Sequence, residues 1–174
     1  MPQDPPAPFG PGATRRIRPT VRVGIGVVVL SNKQDGLFYA GIRQGSHGSG
    51  TLALPGGHLE MYESWESCAI REVKEEMGIE VENPRILHVT NDIMETEGKH
   101  YVKIFMGATS SNPKSVPQNC EPKKCQGWNT YRWEDLKSLP ADQLFGPLRQ
   151  LVEQEPQELI EFLACATKRC PGLI

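Results

Sequence analysis

Glu63, Glu72, Glu75 and Glu76 stand at set distances within the run "GGHLEMYESWESCAIREVKEEMGIEV", residues 56–81. If "REVKEE" (Arg71–Glu76) is helical, Glu72 and Glu76 lie about 40° apart around the axis and roughly 6 Å apart along it, with Glu75 beside both. Like charges so placed repel by about a few tenths of a kcal/mol per pair. Taken alone, the six residues read as a solvated helix face, with a cation site the rarer alternative.

The surrounding residues separate the two. A turn at Gly57 lets the backbone pass close to a ligand and aim N–H groups at it. Glu63 falls just before the helix N-cap, near the positive end of the helix. Glu72, Glu75 and Glu76 are hard oxygen donors suited to Mg²⁺ or Mn²⁺, whose charge would relieve their repulsion and neutralise substrate phosphates. Arg71 can hold a carboxylate in place by a bidentate contact.

The element that carries them is well marked. Ser64 is an N-cap, Glu66 lies in the first turn, Trp65, Ala69, Val73 and Met77 recur every four residues, and Gly78 suits a left-handed cap. A helix over Trp65–Met77 follows. Upstream, "VRVGIGVVVL" (Val21–Leu30) and "LFYAGIR" (Leu37–Arg43) read as strands joined by the turn "SNKQDG", and "TLALP" is a short strand before the double glycine. Gly24 and Gly26 sit within a strand pattern without a third glycine or a following helix, so close packing explains them better than a dinucleotide fingerprint. Downstream, strands are expected at Arg85–Asn91, Tyr101–Thr109 and Gly127–Trp133, then helices over Asp142–Gln154, with Pro147 in a first turn, and Pro156–Arg169. The fold class predicted is an α/β or α+β layered domain with a mixed sheet.

The chain has 174 residues, 38% of them hydrophobic, enough for one domain with its own core. The organisation expected is a proline-rich mobile tail over residues 1–19, a domain over 20–155 and a helical extension over 156–174. A net charge of -2 gives no footprint for duplex nucleic acid or an anionic membrane. No apolar run reaches the roughly 18 to 20 residues that span a bilayer. Five cysteines, one of them inside the predicted helix, argue against a disulfide framework and for a reducing, cytoplasmic setting.

Across Gly57–Ile79 the pattern resembles the Nudix hydrolase signature at every fixed position. The resemblance implies a Nudix α/β/α sandwich and hydrolysis of a nucleoside diphosphate linked to another group. It implies Mg²⁺ or Mn²⁺ held chiefly by Glu72 and Glu76, with Glu63 and Glu75 supporting them or assisting the attacking water. More narrowly, "LALPGGHLE", "ESWESCAIRE", "HYVKIFM", "EPKKCQGW" and "DQLFGPLRQL" look like the MutT-like nucleotide triphosphate diphosphatases of the thiopurine-nucleotide and 8-oxo-dGTP branch. These release a nucleoside monophosphate and pyrophosphate, and commonly act as homodimers. The chain departs from them at Lys103, where the animal relative has a small hydroxyl residue, and at Gly146, where a tryptophan is common.

Further candidates surround the signature. Arg43 is a candidate phosphate clamp, and His58 is placed to reach a phosphate or the water. Lys103 is a candidate base or phosphate contact, and Phe145 and Leu148 are candidate walls of the base pocket; the alternatives are an exposed strand lysine and ordinary core residues. Glu121 ranks below the helix glutamates. The rival readings are a hydrolase of prenyl diphosphates or other diphosphate-linked metabolites, and a catalytically silent nucleotide-binding module.

Overall fold

A computed structural model describes residues 19–31, 36–45, 47–112 and 114–167. The proline-rich tail up to residue 18, most of the "SNKQDG" turn and the chain after residue 167 lie outside these. Among the described residues, six strands and four α-helices occur in the order β1 (Arg22–Leu30), β2 (Phe38–Arg43), β3 (Leu52–Ala53), α1 (Trp65–Met77), β4 (Val81–Met94), β5 (Lys99–Ser110), β6 (Cys125–Tyr131), α2 (Trp133–Ser138), α3 (Gly146–Gln154) and α4 (Gln157–Thr167). The strands form one mixed sheet in the order β3-β2-β1-β5-β4, with β6 also on β2. β1 and β5 run parallel, and the other pairs are antiparallel.

Period-two alternation divides β1 between two cores. Ile25, Val27 and Val29 face Cys68, Ala69, Val73 and Met77 of α1. Val28 and Leu30 face the opposite layer, where Trp133 and Leu136 of α2, Leu148 and Leu151 of α3, and Leu159, Phe162 and Leu163 of α4 pack together. This is the expected sandwich, a sheet between two helical layers. It also makes α4 part of the core rather than an appendage to it.

Helix α1 forms where the sequence places it: the Ser64 hydroxyl accepts a hydrogen bond from Ser67 N, and Gly78 at φ 68° closes the last turn. Elsewhere the boundaries shift. β4 begins at Val81 rather than Arg85, because Asn83 adopts φ 52° and bulges the strand without ending it. Trp133 opens α2 instead of closing β6, because the Asp135 carboxylate accepts from Arg132 N at 2.7 Å at the helix start. α3 starts at Gly146 rather than Asp142, with Pro147 in its first turn as expected.

The topology opens a site between the layers. β6 pairs along β2 on one edge, so β1 and β3 share the other; β1 meets β2 only at Leu30 opposite Phe38, and β3 pairs with Gly41 and Ile42. The chain leaving β3 crosses onto β1, where Ile25 N donates to Gly57 O at 2.8 Å and Val27 N to Pro55 O at 2.9 Å. The glycine turn is thereby held against the middle of the sheet, beneath the acidic face of α1.

Because Leu159 is fully buried in the core, Leu159→Ala is expected to lower unfolding free energy by about 2–4 kcal/mol, measured as a drop in urea midpoint with the slope unchanged.

Candidate active site

Arg71 organises the acidic face of α1. Its guanidinium grips Glu63 with two parallel bonds, Nε to Oε1 at 2.8 Å and Nη2 to Oε2 at 2.9 Å, and donates from Nη1 to Glu72 Oε1 at 2.8 Å. Nη2 also reaches His58 O at 3.1 Å, so the loop before the helix is tied to the helix at two points. The pair with Arg71 holds the Glu63 carboxyl down at about 2, and Glu63 in turn raises Arg71. Glu75 receives only a long contact at 3.4 Å and is 54% exposed.

Glu72 and Glu76 are left facing the glycine turn. Glu76 Oε2 accepts from Gly56 N at 2.9 Å. Burial pushes its carboxyl up to about 7, opposed by that N–H and reinforced by the charges of Glu72 and Glu121. Glu72 is also raised by burial, against the pull of Arg71. Gly56 is required here by contact with backbone, and Gly57 leaves room for the Glu72 carboxylate. A Cβ on Gly56, at φ 140°, would lie 2.1 Å from Ile25 O, and one on Gly57 would lie 2.3 Å from Glu72 Oε1.

The two carboxylates line a cleft of about 420 Å³ that runs from the α1 side toward the start of α3. Lys103, on β5, crosses β1 over Gly24 and Gly26, where added side chains would meet it at 3.1 Å, and donates to Ile25 O at 2.8 Å. Close packing is therefore the reason for both glycines. Burial, helped by the charge of Arg43, pulls the Lys103 ammonium down to about 8. His58 Nε2 and the Tyr101 hydroxyl lie 3.1 Å apart, and burial lowers the imidazole, aided by Arg22 and Lys103.

Arg43 and Phe145 close the far end. The guanidinium lies 4.2 Å from the Phe145 ring centroid and donates from Nε to His47 O at 3.0 Å. Arg43 thus stacks on an aromatic ring at the end of the cleft, and burial lowers its pKa.

Of the residues named from sequence, Arg43, Gly57, His58, Glu72, Glu76, Lys103 and Phe145 share the cleft. Glu63 lies behind it as the partner of Arg71, and Glu75 faces solvent. Leu148 is 2% exposed in the α3 core; its neighbour Pro147 lines the cleft instead, because one step around a helix turns a side chain by about 100°. Glu121 pairs with Lys124 at 2.7 Å.

Sequence reasoning missed Tyr101 and Trp128, which also line the cleft. Tyr101 was within reach of that reasoning, since it lies two positions from Lys103 on the same strand face. Trp128, whose Nε1 donates to Glu76 O at 3.2 Å, arrives only through the pairing of β6 with β2.

The donor set fits a hard divalent cation. Burial raises the cost of ionising both Glu72 and Glu76, the charge of Glu72 adds to it at Glu76, and a cation would remove that cost. Among the described residues no three acidic, histidine or cysteine side chains converge into a preformed cage.

The NUDIX domain model matches residues 20–154, which contain all of these groups. The chain belongs to the NUDIX domain family. Among solved structures, the MutT NUDIX hydrolase from Burkholderia pseudomallei is 29% identical, with a TM-score of 0.67 covering 78% of this chain and 98% of that one. The NUDIX domain of Shewanella oneidensis NrtR, solved with ADP-ribose, shares the fold at 18% identity and a TM-score of 0.62, over 78% of this chain and 86% of that one. The NAD-capped RNA hydrolase NudC of Salmonella heidelberg (strain SL476) is 30% identical over 114 residues, which are 66% of this chain and 41% of NudC. This NUDIX chain therefore spans less than half the length of the curated relatives it matches. Among the described residues, no helix is long and apolar enough to cross a membrane.

The Glu63–Arg71 pair sets a pH signature. Glu63 is depressed from 4.5 to about 2, so its contribution to stability is complete above pH 4.5 and lost as pH falls through about 2. Glu63→Gln is expected to cost roughly 2–3 kcal/mol at pH 7. The gap from wild type should narrow steadily in urea titrations between pH 5 and 2.

Proposed function

We propose that this protein hydrolyses nucleoside triphosphates, modified purine nucleotides included, to the nucleoside monophosphate and pyrophosphate. The observation that carries the reading is one cleft with two raised carboxylates at one end, the cation Lys103 on its floor, and the Phe145–Arg43 stack at the other. Phosphates suit the first two, and the stack suits a base.

Glu72 and Glu76 would hold the divalent cation, Mg²⁺ or Mn²⁺, which when bound neutralises phosphate charge and acidifies a ligated water. The remaining roles fall to the chain itself. Gly56 and Gly57 bring backbone close to the phosphates, and Lys103 offsets their charge from below. Glu63 is committed to Arg71 and Glu75 faces solvent, which leaves Glu76 as the proton acceptor. Water attacks phosphorus in line, its proton passes to a Glu76 oxygen, and pyrophosphate leaves with the electrons of the broken P–O bond. Glu63 and Glu75 act here as supports rather than bases.

A second reading, cleavage within a dinucleotide diphosphate, is favoured by the NudC name of the curated relatives. A panel of nucleoside triphosphates, 8-oxo-dGTP, NAD and prenyl diphosphates, assayed with Mg²⁺ for pyrophosphate, phosphate and monophosphate, separates the two. Triphosphates giving pyrophosphate support the first. Glu76→Gln is expected to lower kcat at least about 10³-fold with an unchanged melting temperature, and activity near wild type would remove Glu76 from its role.

The homodimer implied by the family branch is supported by Ile86, Val89 and Ile93, which are 45–59% exposed on the outer strand β4. Light scattering at micromolar concentration is expected to give twice the chain mass, and Val89→Lys to reduce it to the monomer.

A further inference from the structure

Glu76 is held at both of its ends. Its carboxylate accepts from Gly56 N at 2.9 Å, while its main-chain oxygen accepts from Cys120 N at 3.1 Å and from Trp128 Nε1 at 3.2 Å. The last carbonyls of a helix find no partner further along it. Here Gly78 N closes Lys74 O at 3.0 Å, and Gln118 N reaches Met77 O at 2.8 Å. The chain before β6 therefore already satisfies the end of α1, Glu76 O included. The indole bond is not needed to pair a buried carbonyl, so its consequence is direction. A second donor, from the sheet rather than the loop, fixes that carbonyl from another side and with it the point from which the Glu76 side chain leaves the helix.

The sheet is shaped to deliver the indole. Gly41 pairs with Trp128 and Arg43 with Cys125, so β6 takes three steps where β2 takes two. The extra residue makes a bulge, with Gly127 at φ 134° inside it, and a bulge re-aims the side chains beside it. Gly41 has no left-handed backbone, yet a Cβ there would lie 2.5 Å from Cys125 Sγ, 2.6 Å from Gly127 O and 3.0 Å from Trp128 Cε3. The bulge and the indole thus occupy the space over Gly41. On its other side the ring packs against the core beneath α1. A ring locked by packing in this way can hold a partner in place.

We propose that Trp128 is a positioning residue for Glu76: through the Glu76 carbonyl it sets where the carboxylate stands against Gly56 and the cation. This rests on the reading that Glu76 ligates the cation and takes the proton from water. A misplacement of about 1 Å costs roughly 10²-fold in rate. Losing one of two donors to the carbonyl permits a smaller shift, expected to cost about tenfold.

The test replaces Trp128 with β-(3-benzothienyl)alanine, which keeps the fused-ring shape and puts sulfur in place of the N–H. In the metal-free protein, amide hydrogen exchange at Gly56 is expected to quicken about tenfold, with β1 and β5 staying within about twofold of wild type. With Mg²⁺ and a nucleoside triphosphate, kcat is expected to fall about tenfold and KM to stay within about twofold. Trp128→Phe, which also lacks the N–H, is expected to show the same pattern should the isostere fail to fold. Unchanged Gly56 exchange in a folded variant overturns the inference whatever the activity, and so does faster exchange spread across the whole sheet, which marks lost packing. Faster exchange confined to Gly56 and the end of α1 supports it. If kcat is then unchanged, or wild type hydrolyses no triphosphate, the positioning stands and the role given to Glu76 falls.

Discussion

One guanidinium sorts the acidic residues of this protein into different jobs. Arg71 holds Glu63 bidentately, touches Glu72 on one oxygen and barely reaches Glu75. Without it, Glu63, Glu72 and Glu75 would lose the cation they share. With it, Glu63 becomes a brace that fastens the preceding loop to α1, and Glu72 and Glu76 remain directed at the glycine turn. The burial of those two carboxylates raises both of their pKa values, and a bound cation would relieve that cost.

The sheet meets the same requirement from below. The turn can lie under α1 only because the chain leaving β3 transfers to β1, and it can lie that close only because Gly56 and Gly57 carry no side chains. Gly24 and Gly26 clear a path for Lys103 on the opposite face of β1. Strand pairing therefore determines where each charge sits: carboxylates from one helical layer, an ammonium from the central sheet, and an aromatic stack from the start of α3. Their convergence needs no long loop to close over it.

Much of this was legible in sequence where local chemistry and tertiary demand agree. α1 was, because its cap, its four-residue apolar period and its terminal glycine all point the same way. β1 was, because a strand buried on both faces reads as a continuous β-branched run. Local patterns failed where tertiary terms decide. Trp133 looks like a strand residue, yet the cap at Arg132 and Asp135 starts a helix there. Asn83 and Pro84 look like a break, yet the strand passes through them as a bulge. Leu148 looked like a pocket wall and is core, since a period of 3.6 cannot say which helix face meets the cleft. Trp128 had no local signal, for only the pairing of β6 with β2 brings it to Glu76.

The claim that Arg71 leaves Glu72 and Glu76, and not Glu75, as the cation pair is tested most directly by Mn²⁺ titration followed by electron paramagnetic resonance. Substituting Glu72 or Glu76 by glutamine is predicted to weaken Mn²⁺ binding at least tenfold, with the Glu75→Gln protein staying within about threefold of wild type. A Glu75→Gln protein that loses as much affinity as the other two, or wild-type affinity in either Glu72→Gln or Glu76→Gln, would contradict the account.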